Sequence, residues 1–185
     1  MSLSKFYQQN IWHGEYASDK GREHDYIDAY YDIVFSPLKD VNIRLLEIGI
    51  YKGHSTKLFK NYFTNAELYT IENNNENGGR PEIEGVTQYW IDGYSQETLD
   101  LFEDGFFDFI IDDGPHTLES QIYSTKNWIK KLKSGGRLII EDIQKDTHFI
   151  DLNNAANEND EEGKLYDFRN NKRRWDDMIF EIIKK

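Results

Sequence analysis

The residues best suited to chemistry are two clusters of acids. Asp112-Asp113-Gly114-Pro115-His116 follows one apolar run, and Glu141-Asp142 follows another. Asp113, Glu141 and Asp142 together suit one hard cation. Magnesium favours oxygen ligands and keeps waters, which leaves positions for substrate oxygens. His116 stands three residues after Asp113, where it could take a proton from a hydroxyl polarised by that cation. The plainer reading is that acids often end strands and that Asp112 caps the next helix. Two acid pairs with a histidine weigh against it.

A second group surrounds glycine, in Glu47-Ile48-Gly49-Ile50-Tyr51-Lys52-Gly53-His54-Ser55. Glycine lets a backbone approach a ligand closely, and a helix start favours a carboxylate or phosphate. The two glycines are four apart with Tyr51 between them, which is not the dinucleotide G-x-G-x-x-G pattern. Glu47, ahead of the first glycine, suits a ligand amine better than a pyrophosphate. Glu72 lies 23 residues after Gly49, where an acid bonds ribose hydroxyls in nucleotide-binding α/β domains. The Asn73–Asn75 run and Gly78-Gly79 read as a flexible loop beside it. Ser18 to Tyr26 is dense in polar groups for a connection, and such loops often carry function. On composition alone, a solvated loop is the favourite there. His13, His54 and His148 read as surface or packing residues, and Lys172-Arg173-Arg174 as a solvated turn.

These residues need a frame. Short apolar runs at 42–48, 66–71, 86–91, 107–111 and 137–140 read as strands of a parallel sheet covered on both faces. Helical patterns at 55–63, 95–102 and 117–132 lie between them, with Ser95 as an N-cap and Ser134-Gly135-Gly136 as a stop. A further helix is expected at 26–38 and a short one at 145–158. An acidic, solvated loop is expected at 157–163, then strands at 164–168 and 178–183 joined by a turn. The alternation argues a doubly wound α/β sheet with one antiparallel strand at its edge. In that order the strands ending in the two acid clusters are neighbours, and ligands bind outside the carboxyl ends of such strands.

Composition sets bounds. The 185 residues suggest one domain. Its organisation would be a helical segment with an active-site loop over 1–40 and a core over 41–185. Lys plus Arg is 22 against 34 Asp plus Glu, a formal net charge of −12. That balance disfavours nucleic acid and anionic membrane as partners. No cysteine is present, which excludes disulfides and thiolate chemistry and suits a cytoplasmic setting. No apolar run is long enough to span a membrane, and no signal peptide is visible.

Several separated stretches, in order, resemble one family: SDKGREHDY, LLEIGIYKGHS, YTIE, FDFIIDDGPH, LKSGGRLIIEDI and YDFRNNKRRWDDMIFEI. Over about 18–184 the chain resembles the class I S-adenosylmethionine-dependent methyltransferases. Among these it is similar to the metal-dependent macrocin and mycinamicin type sugar O-methyltransferases and their cephalosporin hydroxylase-like relatives. Asp113 and Glu141 stand 28 residues apart, as in that family's metal site. The resemblance implies a Rossmann-like methyltransferase fold, with a seven-stranded, mostly parallel sheet and an antiparallel C-terminal hairpin strand. It implies that Glu47, Gly49, Tyr51, Gly53 and Ser55 hold the methionine part of S-adenosylmethionine. Glu72 would hold the ribose, Asp92, Tyr94 and Ser95 would lie near the adenine, and Asp112 would be a further cofactor-binding residue. Asp113, Glu141 and Asp142 would bind Mg²⁺ (or Mn²⁺), His116 would be the base, and Asp113 would act beside it. Asp19, Lys20, His24 and Tyr26 would form a loop closing over the substrate. Pro115 departs from the family's usual Ser and stiffens the turn before His116. The implied activity is O-methylation of a small sugar-like or diol-containing acceptor, with a homo-oligomer left open. The rival expectations are a nicotinamide-dependent oxidoreductase or epimerase and a non-catalytic methyltransferase module.

Overall fold

A computed structural model describes residues 1–11, 14–73 and 79–185. His13, and Asn74, Asn75 and Gly78 of the expected loop, lie outside the described residues. Helix α1 (Leu3–Asn10) starts at Ser2, whose hydroxyl accepts from the Lys5 N–H. Ser18 caps the single turn α2 (Asp19–Arg22) in the same way. The helix expected over 26–38 is helical but not uniform. A π-turn at Ile27–Tyr31 runs into α3 (Asp32–Phe35), and a tighter turn at Ser36–Leu38 carries Pro37. The extra residue in a π-turn rotates the side chains after it, which matters for the tyrosines below.

The core then alternates. Strand β1 (Arg44–Ile48), helix α4 (His54–Tyr62), β2 (Glu67–Ile71), β3 (Val86–Tyr89), α5 (Gln96–Leu99), β4 (Phe107–Asp112), α6 (Leu118–Asn127) and β5 (Leu132–Ile140) follow in order. Helix α7 (His148–Asn157), β6 (Gly163–Asp167), α8 (Arg169–Lys172) and β7 (Met178–Ile183) complete it. Strand β3 ends two residues before the expected Ile91. The Ser134-Gly135-Gly136 stop lies within β5, because the helix has already ended in a tight turn at Trp128–Lys131. The glycines serve a bulge instead. Phe107 pairs with Leu132 but Phe109 pairs with Arg137, and Gly135 takes φ +79. The 157–163 loop is not wholly solvated, since Glu161 is buried and accepts from the Lys185 N–H. The turn at 169–175 contains α8.

The seven strands form one sheet in the order β3-β2-β1-β4-β5-β7-β6. The first five are parallel and β7 is antiparallel to both neighbours. Each face carries its own core. One centres on Tyr7, Tyr31, Phe35, Phe59 and Phe109, the other on Phe102, Phe107, Trp128, Leu152 and Phe180. Phe35 is a hub, with ring centroids of Tyr31, Phe59, Phe63 and Phe109 between 5.1 and 5.4 Å away. No helix among the described residues is long and apolar enough to cross a membrane.

The chain order reverses beside β1, between β2 and β4, which is the switch point where such sheets bind ligands. Three backbone bonds continue the ladder past the strand ends. Gly49 N–H donates to Ile71 O (2.9 Å), Asp113 N–H to Ile48 O (2.8 Å) and Glu141 N–H to Asp112 O (3.0 Å). They hold the glycine turn and both acid clusters in one row. Asp112 braces that row from beneath. Its carboxylate accepts from Tyr94 OH (2.6 Å), Ser124 Oγ (2.5 Å) and Gly114 N–H (3.2 Å).

Two outcomes follow. Gly49 has φ +82, and a Cβ there would lie 2.1 Å from the Asp113 carbonyl oxygen. Gly49→Ala therefore destabilises by more than about 1 kcal/mol, measurable as a lower urea midpoint, and a midpoint equal to wild type would refute the close approach. Burial pushes the Asp112 carboxyl above the usual range, against its hydrogen-bond donors and His116. A folded-state value that is raised favours folding at low pH, and that contribution disappears as pH climbs through the raised value. Wild-type Tm should thus fall more steeply than that of Asp112→Asn as pH rises from the ordinary carboxylate range towards neutrality. Parallel Tm-against-pH curves would contradict this.

Candidate active site

The strand ends bound a cavity of about 670 Å³. Gly49, Ile50 and Tyr51 form one wall, Glu72 and Asn73 the next, and Gly93 and Tyr94 the third. Asp113, Gly114, Pro115 and His116 close the side towards β5, and Asp19, Arg22 and Glu23 stand over it. Glu72 is fixed because its Oε2 accepts the N–H groups of both Ile50 and Tyr51 at 3.0 Å. Tyr51 has φ 47 and stands exposed at the rim.

Several expected cofactor residues lie elsewhere. Glu47 is fully buried and does not line the cavity. Its carboxylate accepts from Ser55 Oγ (2.6 Å) and Thr56 Oγ1 (2.5 Å), so it anchors the first turn of α4 rather than awaiting a ligand amine. Ser55 itself does line the cavity. Gly53, at φ 72, opens α4 behind the wall. Asp92 accepts from the Tyr94 N–H (3.0 Å) and Ser95 caps α5, and neither reaches the cavity. Asp112 is a brace beneath the wall. Tyr94 is the member of that group which does line it.

The acids divide in a way the sequence did not foretell. Expectation grouped Asp113, Glu141 and Asp142 around one cation. In the structure the ligating atoms of Asp113, His116 and Asp142 lie within 4.8 Å of one another. His116 Nε2 is 3.9 Å from Asp113 Oδ1 and 3.7 Å from Asp142 Oδ2. Glu141 is buried and turned to other partners. Its Oε2 accepts from Lys20 Nζ at 2.5 Å, and its Oε1 accepts from Tyr31 OH. Lys20 Nζ also donates to Asp113 Oδ2 at 2.5 Å. His116 and Asp142 have left-handed backbones, φ 56 and 54. Such conformations cost about 1–3 kcal/mol each in non-glycine residues and cluster at functional sites. Gln121 Nε2 donates to the backbone carbonyls of Glu141 (3.2 Å) and Asp142 (3.4 Å).

Three of the four residues expected on a covering loop are buried beneath the acids instead. Lys20 is 1% exposed, His24 4% and Tyr26 0%. His24 Nδ1 is 2.5 Å from Asp177 Oδ1 and 3.5 Å from Asp142 Oδ1, and Tyr26 OH donates to Asp142 Oδ1 at 2.8 Å. Only Asp19 faces the cavity. The basic run at 172–174, expected to be solvated, ties this loop to the C-terminal hairpin. Lys172 Nζ donates to the carbonyls of Gly21 and His24, and Arg174 pairs with Glu23 (3.0 Å) and Asp176 (3.2 Å).

Charge follows from this burial. Burial, with Asp113 and Asp142 close by, raises the Glu141 carboxyl well above its usual range despite Lys20. Asp142 is raised by burial and by Asp113. Burial alone would lower the Lys20 ammonium, yet Asp113, Glu141, Glu47 and Asp19 raise it well above its ordinary value. One ammonium among these carboxylates leaves the cluster rich in negative charge. Two aspartates with open ligating atoms fit a hard divalent cation, whereas Glu141 as placed does not offer one.

Sequence reasoning missed several residues. Ala17, Lys52, His54 and Asn73 line the cavity, and His54 had read as surface or packing. Burial, then Lys57 and Lys52, lower its imidazole below the usual value. Tyr31 was passed over, although tyrosines at 26, 30 and 31 in one helical stretch were a visible signal.

The geometry agrees with what the chain is similar to. The 8-demethyl-8-(2-methoxy-alpha-L-rhamnosyl)-tetracenomycin-C 3'-O-methyltransferase of Streptomyces olivaceus is 27% identical over 137 residues, 69% of this chain and 35% of that protein. The L-olivosyl-oleandolide 3-O-methyltransferase of Streptomyces antibioticus is 28% identical over 134 residues, with the same two coverages of 69% and 35%. The chain thus spans about a third of the length of these relatives. Among solved structures, the MycE methyltransferase from the mycinamycin biosynthetic pathway, in complex with Mg, SAH and mycinamycin VI, superposes with a TM-score of 0.70 at 20% identity. That match covers 100% of this chain and 54% of MycE. The Methanococcus jannaschii fibrillarin pre-rRNA processing protein has a TM-score of 0.60 at 18% identity, over 78% of this chain and 67% of that one. At these identities the two structures bear on the fold alone, a Rossmann-like sheet with an antiparallel edge. A family model described as a methyltransferase domain matches residues 46–143. That stretch runs from β1 through the glycine turn, Glu72 and both acid clusters, and the chain belongs to this family of methyltransferase domains.

Proposed function

We propose that this chain transfers a methyl group from S-adenosylmethionine to a hydroxyl of a small sugar-like or diol-containing acceptor, with a divalent cation, Mg²⁺, at Asp113 and Asp142. The observation that carries the reading is the continuous row at the strand ends, where the Gly49–Glu72 cavity meets Asp113, His116 and Asp142. The two sugar O-methyltransferase relatives named above support the acceptor class. When bound, S-adenosylmethionine supplies a sulfonium methyl, and the cation supplies positive charge beside an oxygen that loses its proton.

The chain's own residues do the rest. Glu72, pinned by two N–H donors, faces the ribose side of the cavity. The Gly49–Tyr51 turn fixes the cofactor's methionine end, and Tyr94 closes the far wall. His116 Nε2 accepts the acceptor hydroxyl's proton as its oxygen forms the bond to methyl carbon and the carbon–sulfur bond breaks. Asp113 and Asp142 each lie within 4 Å of that nitrogen, which sets the base beside the cation they would hold. The ring is 30% exposed, so its proton can pass to solvent. The largest contribution is alignment of two reactants in one enclosed site, on the order of 7–11 kcal/mol.

Excess EDTA should abolish turnover on a diol-containing sugar acceptor while S-adenosylhomocysteine binding, followed by calorimetry, persists. Full turnover in EDTA would remove the cation from the reading. His116→Ala should lower kcat by about 10²- to 10⁴-fold with cofactor affinity retained, and a loss of only a few-fold would remove the base assignment. Binding of NAD but not S-adenosylhomocysteine in the same calorimetry would favour an oxidoreductase.

A further inference from the structure

The turn that carries His116 has little backbone of its own to hold it. Pro115 has no N–H, and among the described residues Gly114 alone of 114–116 donates a backbone hydrogen bond. Its acceptor is a side chain, Asp112 Oδ1, at 3.2 Å. His116 nonetheless keeps a left-handed backbone, φ 56. A non-glycine residue stays in such a conformation only where its surroundings over-determine it.

Tyr94 supplies those surroundings. Its OH donates to the same Asp112 Oδ1 at 2.6 Å, and the Gly114 backbone lies against its phenol. A Cβ on Gly114 would fall 1.9 Å from the Tyr94 hydroxyl oxygen and 3.0 Å from its Cζ. Ser124 Oγ holds the other carboxylate oxygen at 2.5 Å, so Asp112 is fixed from both sides. Burial and the Asp112 charge push the phenol well above its ordinary value, so it keeps its proton and stays a donor. The same residue lines the cavity.

We propose that Tyr94 is a positioning residue for His116: through its hydroxyl on Asp112 and its contact with Gly114, it joins the wall that meets the cofactor to the turn that carries the base. This rests on the cofactor and base assignments above and adds the link between them. Asp112 Oδ1 receives one donor from the wall and one from the turn, so displacing either is felt by the other. Loss of the hydroxyl leaves the ring as a wall and loosens the turn.

The test reads the position of His116, not turnover. In protein labelled with ¹³C at histidine Cε1, the His116 resonance is identified by its loss in His116→Asn. At one fixed pH it should shift or split in Tyr94→Phe and stay in place in Tyr123→Phe. Tyr123 is a neighbouring ring, 6.0 Å away, that is not among the donors to Asp112. S-adenosylhomocysteine affinity, followed by calorimetry, should stay within about threefold of wild type in Tyr94→Phe, since the ring remains. An unmoved His116 resonance overturns the inference and leaves the cofactor and base readings intact. A loss of affinity beyond about tenfold also overturns it, because the hydroxyl then serves the cofactor directly. Wild type that binds no S-adenosylhomocysteine overturns both the cofactor reading and this inference. Wild type also gives a measurement independent of variant folding. Its Gly114 amide proton should exchange about a hundredfold more slowly than in an unfolded peptide, and unprotected exchange overturns the inference.

Discussion

Buried carboxylates need partners, and this molecule gathers most of its buried acids at one end of one sheet. An isolated charge moved from water into a protein interior is costly, and the cost is met only by opposite charge and hydrogen bonds. Glu47, Asp112, Glu141 and Asp177 are all nearly without solvent contact. Each has an assigned answer: hydroxyls for Glu47 and Asp112, a lysine and a phenol for Glu141, an imidazole for Asp177. The surrounding elements can be understood as the means of delivering those partners. Helix α4 brings Ser55 and Thr56, α6 brings Ser124, and the N-terminal segment brings Lys20, His24, Tyr26 and Tyr31.

The N-terminal segment does this with three tyrosines. Tyr26 bonds Asp142, Tyr30 bonds Glu181 and Tyr31 bonds Glu141. In a regular helix adjacent residues diverge by about 100°, so Tyr30 and Tyr31 point apart. Here they reach acids on different strands, Glu181 on β7 and Glu141 just beyond β5. The same segment packs Tyr31 against Phe35 and Phe59 in the core of one face. Packing and charge compensation are thus joined in single side chains. Truncating such a tyrosine loses both apolar area and a donor to a buried acid.

The frame was legible because its signals are local. Five apolar runs ending in Gly49, Glu72, Asp92, Asp112 and Glu141 marked the strands, and their alternation with helical patterns gave the order. The convergence of Asp113 with Asp142 followed from β4 and β5 being neighbours, as they are. What local pattern could not give was the direction of each carboxylate. Glu141 and Asp142 are adjacent, yet one turns inward to Lys20 and the other outward to His116, because Asp142 adopts a left-handed backbone. Lys20 and His24 looked like members of a polar surface loop. Their nearest acid partners are more than ninety residues away, and no window around residue 20 contains those. The bulge at Gly135 was misjudged for a related reason. Glycine ends helices and also bends strands, and only the pairing partner decides which.

The clasp between the N-terminal loop and the C-terminal hairpin has a kinetic side. Lys172 with Gly21 and His24 with Asp177 are pairs separated by 151 and 153 positions, so each closes most of the chain into a loop. Closure entropy grows with loop length, and topologies rich in such distant contacts fold slowly. The acids can be lined up by the sheet alone, but their cover requires residues 21–24 and 172–177 at once. A ribosome must therefore release the chain through Asp177 before this clasp can close.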